Sequence, residues 1–300
     1  MPRRIVTALL AAALLVIALV PVVNASHGGK HKRDRDCGER SKGYGGHHKR
    51  ALDVVGLTDD GRLICFSEKD PRDARTIGRV KGLDGDAKLV GIDYRPATGD
   101  LYGLGDKGGV YVLDDDSGRA MLKSRLNVPL MGTSFGVDFN PTVDRLRIIS
   151  DAGQNLADNV DANNDTVTNT TLSNPGPPPA TALGVTGAAY TNNDADPNTA
   201  TTLFDIDSAL DQTVIQSPAA SGVLAPTGKL GVDTGASVGS DIYSTIRGGT
   251  TVRVQGFASL TVNGQSGFYG VNLLQGRADS RGSFAPRNVV TGIAVPLNQR

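Results

Sequence analysis

The sequence predicts an all-β protein, a β-propeller of about five four-stranded blades, and three observations carry that expectation. First, a Gly-led strand signal occurs five times, as Gly91-Ile92-Asp93-Tyr94, Gly136-Val137-Asp138-Phe139, Gly187-Ala188-Ala189-Tyr190, Gly239-Ser240-Asp241-Ile242 and Gly292-Ile293-Ala294-Val295. Its third residues stand 45, 51, 52 and 53 positions apart, a period that belongs to repeat architectures made of small β units. Second, from Ala51 onward short apolar runs rich in β-branched residues alternate with Gly, Asp, Asn and Pro turns, and none keeps the i, i+3, i+4 spacing of a helix longer than two turns. Third, the first repeat begins at residues 52–57 with no Gly-led strand of its own, while the last signal, residues 289–295, has no repeat after it. The C-terminal strand is therefore expected to complete the N-terminal blade, which closes the ring and removes an open sheet edge. A two-sheet sandwich is the alternative fold, and six blades would require residues 239–287 to be split.

The second repeat shows the elements in order. The Gly-led strand meets the turn Pro96-Ala97-Thr98-Gly99, a second strand covers residues 100–104, and a third covers 110–114. The turn Asp115-Asp116-Ser117-Gly118 follows, and a weaker fourth strand closes the unit at about residues 121–127. The third-strand pattern returns at residues 63–67, 203–207 and 268–272. Asn174-Pro175-Gly176-Pro177-Pro178-Pro179 cannot donate a full hydrogen-bond ladder and is expected to connect the third and fourth blades.

Ahead of the propeller domain, residues 51–300, lie two segments of different character. Residues 1–25 have the form of a secretory signal peptide: Arg3 and Arg4, an apolar run over residues 5–20, and the small-residue site Val23-Asn24-Ala25. An uncleaved membrane anchor is the alternative, since a run of that length approaches the ~17–25 residues that span a bilayer. Residues 26–50 form a basic His/Gly-rich tail, expected to be disordered, with eight Lys/Arg against three Asp/Glu. It holds all four histidines, His27, His31, His47 and His48. The domain itself carries 21 Lys/Arg against 28 Asp/Glu, so a tail of +5 precedes a body of −7. Cys37 in the tail and Cys65 in a predicted strand would form a disulfide in an oxidising compartment if geometry allows; otherwise Cys65 is a small buried residue and Cys37 a surface thiol. The expected location is outside the cell or at its wall, with no membrane association after signal cleavage.

Four segments together are recognisable: Leu89-Val90-Gly91-Ile92-Asp93-Tyr94-Arg95-Pro96-Ala97-Thr98-Gly99, Gly136-Val137-Asp138-Phe139-Asn140-Pro141-Thr142-Val143-Asp144-Arg145-Leu146-Arg147, Ser150-Asp151-Ala152-Gly153-Gln154-Asn155-Leu156 and Gly187-Ala188-Ala189-Tyr190-Thr191-Asn192-Asn193. Over about residues 51–297 the chain resembles the bacterial family called domain of unknown function 4394. The resemblance implies an exported or surface protein with propeller-like repeats, and it brings no activity, cofactor or catalytic residue with it. Where that family has a basic residue and an Asn-Pro or Asn-Thr-Gly turn after the Gln-Asn-Leu segment, this chain has Ala157-Asp158-Asn159-Val160-Asp161.

The domain lacks histidine, so a Ser-His-Asp triad, a Cys-His pair and a His-ligated zinc cannot be assembled within it. It has one Glu, Glu68, beside 27 Asp, which keeps metal-assisted chemistry through inward Asp in play. Asp93, Asp138 and Asp241 are expected to accept backbone hydrogen bonds beside a conformationally free Gly; a functional carboxylate ring is the alternative. The candidate ligand site is the third blade, where Asn140, Arg145, Arg147, Ser150, Asp151, Gln154 and Asn155 fall close together. Strand alternation puts Arg145 and Arg147 on one face, to be paired with carboxylates such as Asp138, Asp144 or Asp151, or to grip an anion. Asp158, Asp161, Asn163 and Asp165 have the oxygen-rich spacing of a calcium loop, although Leu172 stands where an EF-hand has its bidentate Glu, and a plain turn is the other possibility. Calcium is thus the one candidate cofactor. The acidic domain lacks a basic stripe interleaved with aromatics, which argues against nucleic acid, and with no Trp it is short of the stacking platforms that many sugar-binding sites use. The expectation is an exported, monomeric, non-catalytic module that binds a cell-wall or extracellular polymer or protein; the alternative is a calcium-assisted hydrolase or lyase with an Asp/Arg site on the propeller face.

Overall fold

The computed structural model describes residues 51–192, 194–196 and 198–299. The chain leaves blade 1 after β1 (Asp53–Thr58), β2 (Arg62–Ser67) and β3 (Asp70–Arg79). Blade 2 holds β4 (Leu89–Tyr94), β5 (Leu101–Gly105), β6 (Gly109–Leu113) and β7 (Ala120–Arg125); blade 3 holds β8 (Phe135–Asn140), β9 (Arg145–Ser150), β10 (Asn155–Asp158) and β11 (Thr166–Thr168). The short hairpin β12 (Ser173–Asn174) and β13 (Ala180–Thr181) follows, with the proline-rich stretch as its turn. Blade 4 contains β14 (Val185–Tyr190), β15 (Leu203–Asp207), β16 (Gln212–Gln216) and β17 (Leu224–Lys229). Blade 5 contains β18 (Gly239–Arg247), β19 (Thr250–Val262), β20 (Gln265–Val271) and β21 (Ala278–Ser283), and β22 (Val290–Ala294) returns to blade 1.

Each blade is a four-stranded antiparallel sheet, and the first has the order β22-β1-β2-β3. The closing register pairs Val55 with Ala294, Gly56 with Ile293 and Leu57 with Gly292 before a bulge. The five Gly-led strands are the innermost strands of their blades, each against the next, and β18 meets β22 to complete the ring. The five-blade propeller closed by its C-terminal strand is therefore the fold. Residues 239–287 need no sixth blade, because their extra length lies in the long β18–β19 hairpin. One assignment changes: residues 203–207 are the second strand of blade 4, since the loop before β15 replaces the tight turn of blade 2.

Apolar side chains are buried between blades. The closure seam packs Tyr243, Phe257, Phe268 and Phe284 of blade 5 on Val54, Phe66, Val290 and Ile293 of blade 1, with Phe66 edge-on to Phe268 and Phe284 at ring separations of 5.0 Å. Tyr111 and Leu101 pack against Leu57 and Ala294 at the next seam, and Tyr102 against Phe139 at the one after. Each interface thus has its own core, as sheets stacked face to face require.

The glycine of the repeated signal serves close approach. None of the five has a positive φ, so conformational freedom is not its role. A Cβ at Gly136 would lie 2.7 Å from the Ala188 nitrogen and 2.8 Å from the Gly187 carbonyl carbon, and one at Gly239 would lie 2.7 Å from Gly292 Cα. Neighbouring innermost strands therefore touch backbone to backbone. At Gly292 the nearest atom to such a Cβ is 3.6 Å away. Gly136→Ala should lower stability by about 2 kcal/mol through overpacking against unyielding backbone. Gly292→Ala should stay within about 0.5 kcal/mol of the parent, and urea midpoints of the two variants check the contrast.

Candidate functional site

The innermost strands bring three carboxylates to the axis. In β4, β8 and β18 the residue two after the glycine is Asp93, Asp138 or Asp241, and one oxygen of each lies within 4.8 Å of the others. Each also latches its blade to the next. Asp93 Oδ2 accepts the Phe139 N–H at 2.7 Å, Asp138 Oδ1 the Tyr190 N–H at 3.1 Å, and Asp241 Oδ2 the Val295 N–H at 2.5 Å. The expected backbone-acceptor role is thus present, now extended across blades. Blade 4 has Ala189 at this position, and its latch to blade 5 is made by hydroxyls instead: Ser244 Oγ accepts the Asn192 N–H at 2.8 Å, and Ser240 Oγ donates to the Ala188 carbonyl. Burial, reinforced by the neighbouring carboxylates, pushes Asp93 and Asp138 well above the usual carboxylate range; burial pushes Asp241 up to about 7. The three line a cavity of ≈ 20 Å³ with Tyr94, Tyr190 and Asn192.

Blade 3 gathers its candidate residues less tightly than their spacing suggests. Arg147 and Asn155 meet in the seam between blades 3 and 4, where Arg147 is 6 % exposed. The guanidinium donates from Nε to Tyr190 Oη at 3.2 Å, and from Nη1 to Asn155 Oδ1 and Asn169 Oδ1 at 2.6 Å each and to the Leu156 carbonyl at 3.2 Å. Its hydrogen-bond partners are neutral oxygens, not the expected carboxylates. Asn155 Nδ2 donates in turn to the Thr170 and Ala219 carbonyls. The others fasten separate turns. Asn140 accepts from Thr142 and Val143, Asp151 from the N–H and hydroxyl of Thr133, and Ser150 Oγ from the Gln154 N–H. Gln154 bridges Met131 and Pro129, and Arg145 pairs with Asp165 at 3.2 Å. Asp144, offered as a partner for these arginines, instead takes Arg95, which is 4 % exposed and forks onto it through Nε at 2.8 Å and Nη2 at 2.5 Å. Sequence reasoning missed Arg95. Its place directly after the Gly-Ile-Asp-Tyr signal was the available clue.

A cleft of ≈ 550 Å³ opens between blades 4 and 5. It exists because β18 and β19, nine and thirteen residues long, overrun the blade and carry their hairpin past Thr191 and Phe204 of blade 4. Phe204, Val271 and Leu273 give it an apolar floor, and Arg253, Gln255 and Arg281 give it a polar rim. Arg281 is held by Glu68 at 3.3 Å and lies over the Phe257 ring, while Arg253 is exposed. The sequence signal for this site was the excess length of the fifth repeat.

Over residues 62–294 the chain matches the family model described as Domain of unknown function (DUF4394). It belongs to that family. No curated protein matches it. Among solved structures it is similar to an auxiliary nutrient binding protein from Bacteroides ovatus, at 14% identity and TM-score 0.37, covering 58% of this chain and 46% of that one. An auxiliary nutrient binding protein from Bacteroides thetaiotaomicron aligns at 10% identity and TM-score 0.45, covering 80% and 63%, so the chain spans less than two thirds of either protein. A structural genomics protein of unknown function from Bacteroides thetaiotaomicron aligns at 13% identity and TM-score 0.45, covering 84% and 69%.

In this DUF4394 chain the oxygen-rich loop after β10 is cross-linked by side chains. Asp161 takes Arg95 at 2.5 Å and Lys123 at 2.7 Å, and those two cations hold its carboxyl far below the usual range. Asp165 is bonded by Asn159 and Arg145, which hold it low as well. Asp158 accepts the Thr166 hydroxyl at 2.7 Å, with burial pushing it up, and Asn163 is exposed. The three Asp of this loop do not gather into one ligand cluster, and cations from blades 2 and 3 already pair with two of the four expected calcium donors, Asp161 and Asp165. Cys65 is buried on β2; Cys37, the four histidines, the basic tail and the signal peptide lie outside the described residues. No helix among the described residues is long and apolar enough to cross a membrane.

Proposed function

We propose that this protein is an exported, non-catalytic binding module whose cleft between blades 4 and 5 takes the anionic end of a wall or extracellular polymer. The observation that carries the proposal is the cleft itself, whose ≈ 550 Å³ falls inside the ~300–1,000 Å³ of ligand sites. Its chemistry suits holding more than reacting. Apolar contacts from Phe204 and Leu273 supply area, Gln255 supplies directional hydrogen bonds, and the guanidinium of Arg253 offers a fork for a carboxylate or phosphate. Export follows from the basic start, apolar run and small-residue site of residues 1–25. The axial carboxylates do not favour the hydrolase alternative. Between 4 % and 7 % exposed around a cavity of ≈ 20 Å³, they could admit an ion or a water but not a sugar or an ester.

A screen of the mature chain against acidic and neutral wall and extracellular polymers tests this. At least one acidic polymer should bind, and Arg253→Ala should weaken it about tenfold, the loss of one charge-assisted hydrogen bond, with an unchanged Tm because that side chain is exposed. Equal affinity in the variant would move the ligand away from the cleft, and silence across the whole screen would end the proposal.

A further inference from the structure

We propose that Asp93, Asp138 and Asp241 bind a divalent cation of the calcium type on the propeller axis. Their oxygens lie within 4.8 Å of one another around a cavity of ≈ 20 Å³. Oxygens sharing one calcium at ~2.3–2.6 Å stand no farther apart than about 5 Å, so the spacing is that of a common ligand sphere. Hard carboxylate oxygens are the donors calcium selects.

A second observation stands apart from the triad. Asp205 on β15 is fully buried, and neither of its oxygens has a hydrogen-bond partner. It lines, with Asp241, a cavity of ≈ 10 Å³, and it acts electrostatically on Asp138. An uncompensated carboxylate at that depth is costly unless positive charge is near. Asp138 lies in the same field, and its Oδ1 accepts the Tyr190 N–H. Arg147, the cross-strand neighbour of Asp138, supplies part of that charge at a distance: it lowers Asp205 without a hydrogen bond to it, its Nε and Nη1 being directed to Tyr190, Asn155, Asn169 and the Leu156 carbonyl. A cation on the axis would add to the charge that Arg147 supplies and place it among the three carboxylates. It would also pin blades 2, 3 and 5 from their innermost strands.

The test uses the full mature chain. Protein purified without chelator should contain about one calcium by elemental analysis, and after EDTA treatment titration calorimetry should show one site for Ca²⁺ that outcompetes Mg²⁺. Saturating Ca²⁺ should raise the Tm of the stripped protein by about 5–10 °C. Asp138→Asn, which keeps an acceptor for the Tyr190 N–H, should weaken Ca²⁺ at least tenfold, whereas Asp116→Asn in the exposed carboxylate turn of blade 2 should leave it unchanged. If Asp138→Asn does not fold, Asp205→Asn should show a reduced Ca²⁺-induced Tm shift, and the calcium content of the parent decides independently. No heat and no Tm shift with either cation overturns the proposal. So does affinity that survives Asp138→Asn, which would place the ion elsewhere, including the Asp158–Asp165 loop.

Discussion

A chain shortened to end at Asn288 should fail to fold. It would lack β22, and with it Val290, Ile293, Ala294 and Val295, each at most 2 % exposed in the closure seam or beside it. Burying a Val or Ile side chain contributes ~1.5–3 kcal/mol, so losing the three larger ones removes about 5–8 kcal/mol. That is comparable to the whole stability of ~5–15 kcal/mol of a typical domain. The backbone adds to the loss. β1 would become an open edge, Asp241 Oδ2 would lose the Val295 N–H, and the Asp53 backbone would lose both hydrogen bonds with Gln299, its N–H donating to Oε1 and its carbonyl accepting from Nε2. The parent should unfold in one cooperative urea transition followed by tyrosine fluorescence, a clean probe because the chain has no Trp. The shortened chain should show no transition and should aggregate through its open edge. Because the missing piece is a strand, a synthetic peptide of residues 289–299 should restore the transition by adding that strand in trans. A shortened chain with the parental midpoint would mean that ring closure contributes little.

The fold was legible because its central constraint acts on single residues at regular intervals. Where innermost strands pass backbone to backbone, as at Gly136 and Gly239, a Cβ has no room, and the glycine signal that marks such close approach returns with every blade although Gly292 is less crowded. The latch formed by Asp93, Asp138 and Asp241 was legible for the same reason. Their convergence stood only as the alternative of a carboxylate ring, because it depends on a closed fold that carries residues 45 and 103 positions apart to one axis. The calcium loop shows the opposite failure. Spacing in Asp158, Asp161, Asn163 and Asp165 records oxygen donors, but the cations that pair with Asp161 and Asp165 are set by the fold: Arg95 is 66 positions from Asp161. The cleft was missed because extra hairpin length appears in sequence only as a longer repeat, with no sign of what the hairpin will lean over.

Arg147→Ala should cost about 4 kcal/mol, and the reason decides between the two roles this residue was offered. As an anion clamp, the guanidinium would have donors to spare and access to solvent. In the structure it is sealed between blades 3 and 4 and joins β10, the loop after β11 and β14 through Asn155, Asn169 and Tyr190. Truncation leaves those oxygens and the Leu156 carbonyl facing a dry gap, and each unsatisfied buried group costs ~1–3 kcal/mol. It also removes the cation that lowers Asp205, so burial would push that carboxyl still higher. Some of the gap would admit water, which keeps the total below the sum of the separate penalties. Arg147→Lys should recover only a minor part, since an ammonium can keep the charge but cannot reach Tyr190 and the two amides at once. The measurements are the urea midpoint and, well below it, affinity for whichever acidic polymer the parent binds. A lowered midpoint with unchanged affinity is expected; a parental midpoint with lost affinity would return Arg147 to the ligand site and reverse the assignment of that seam.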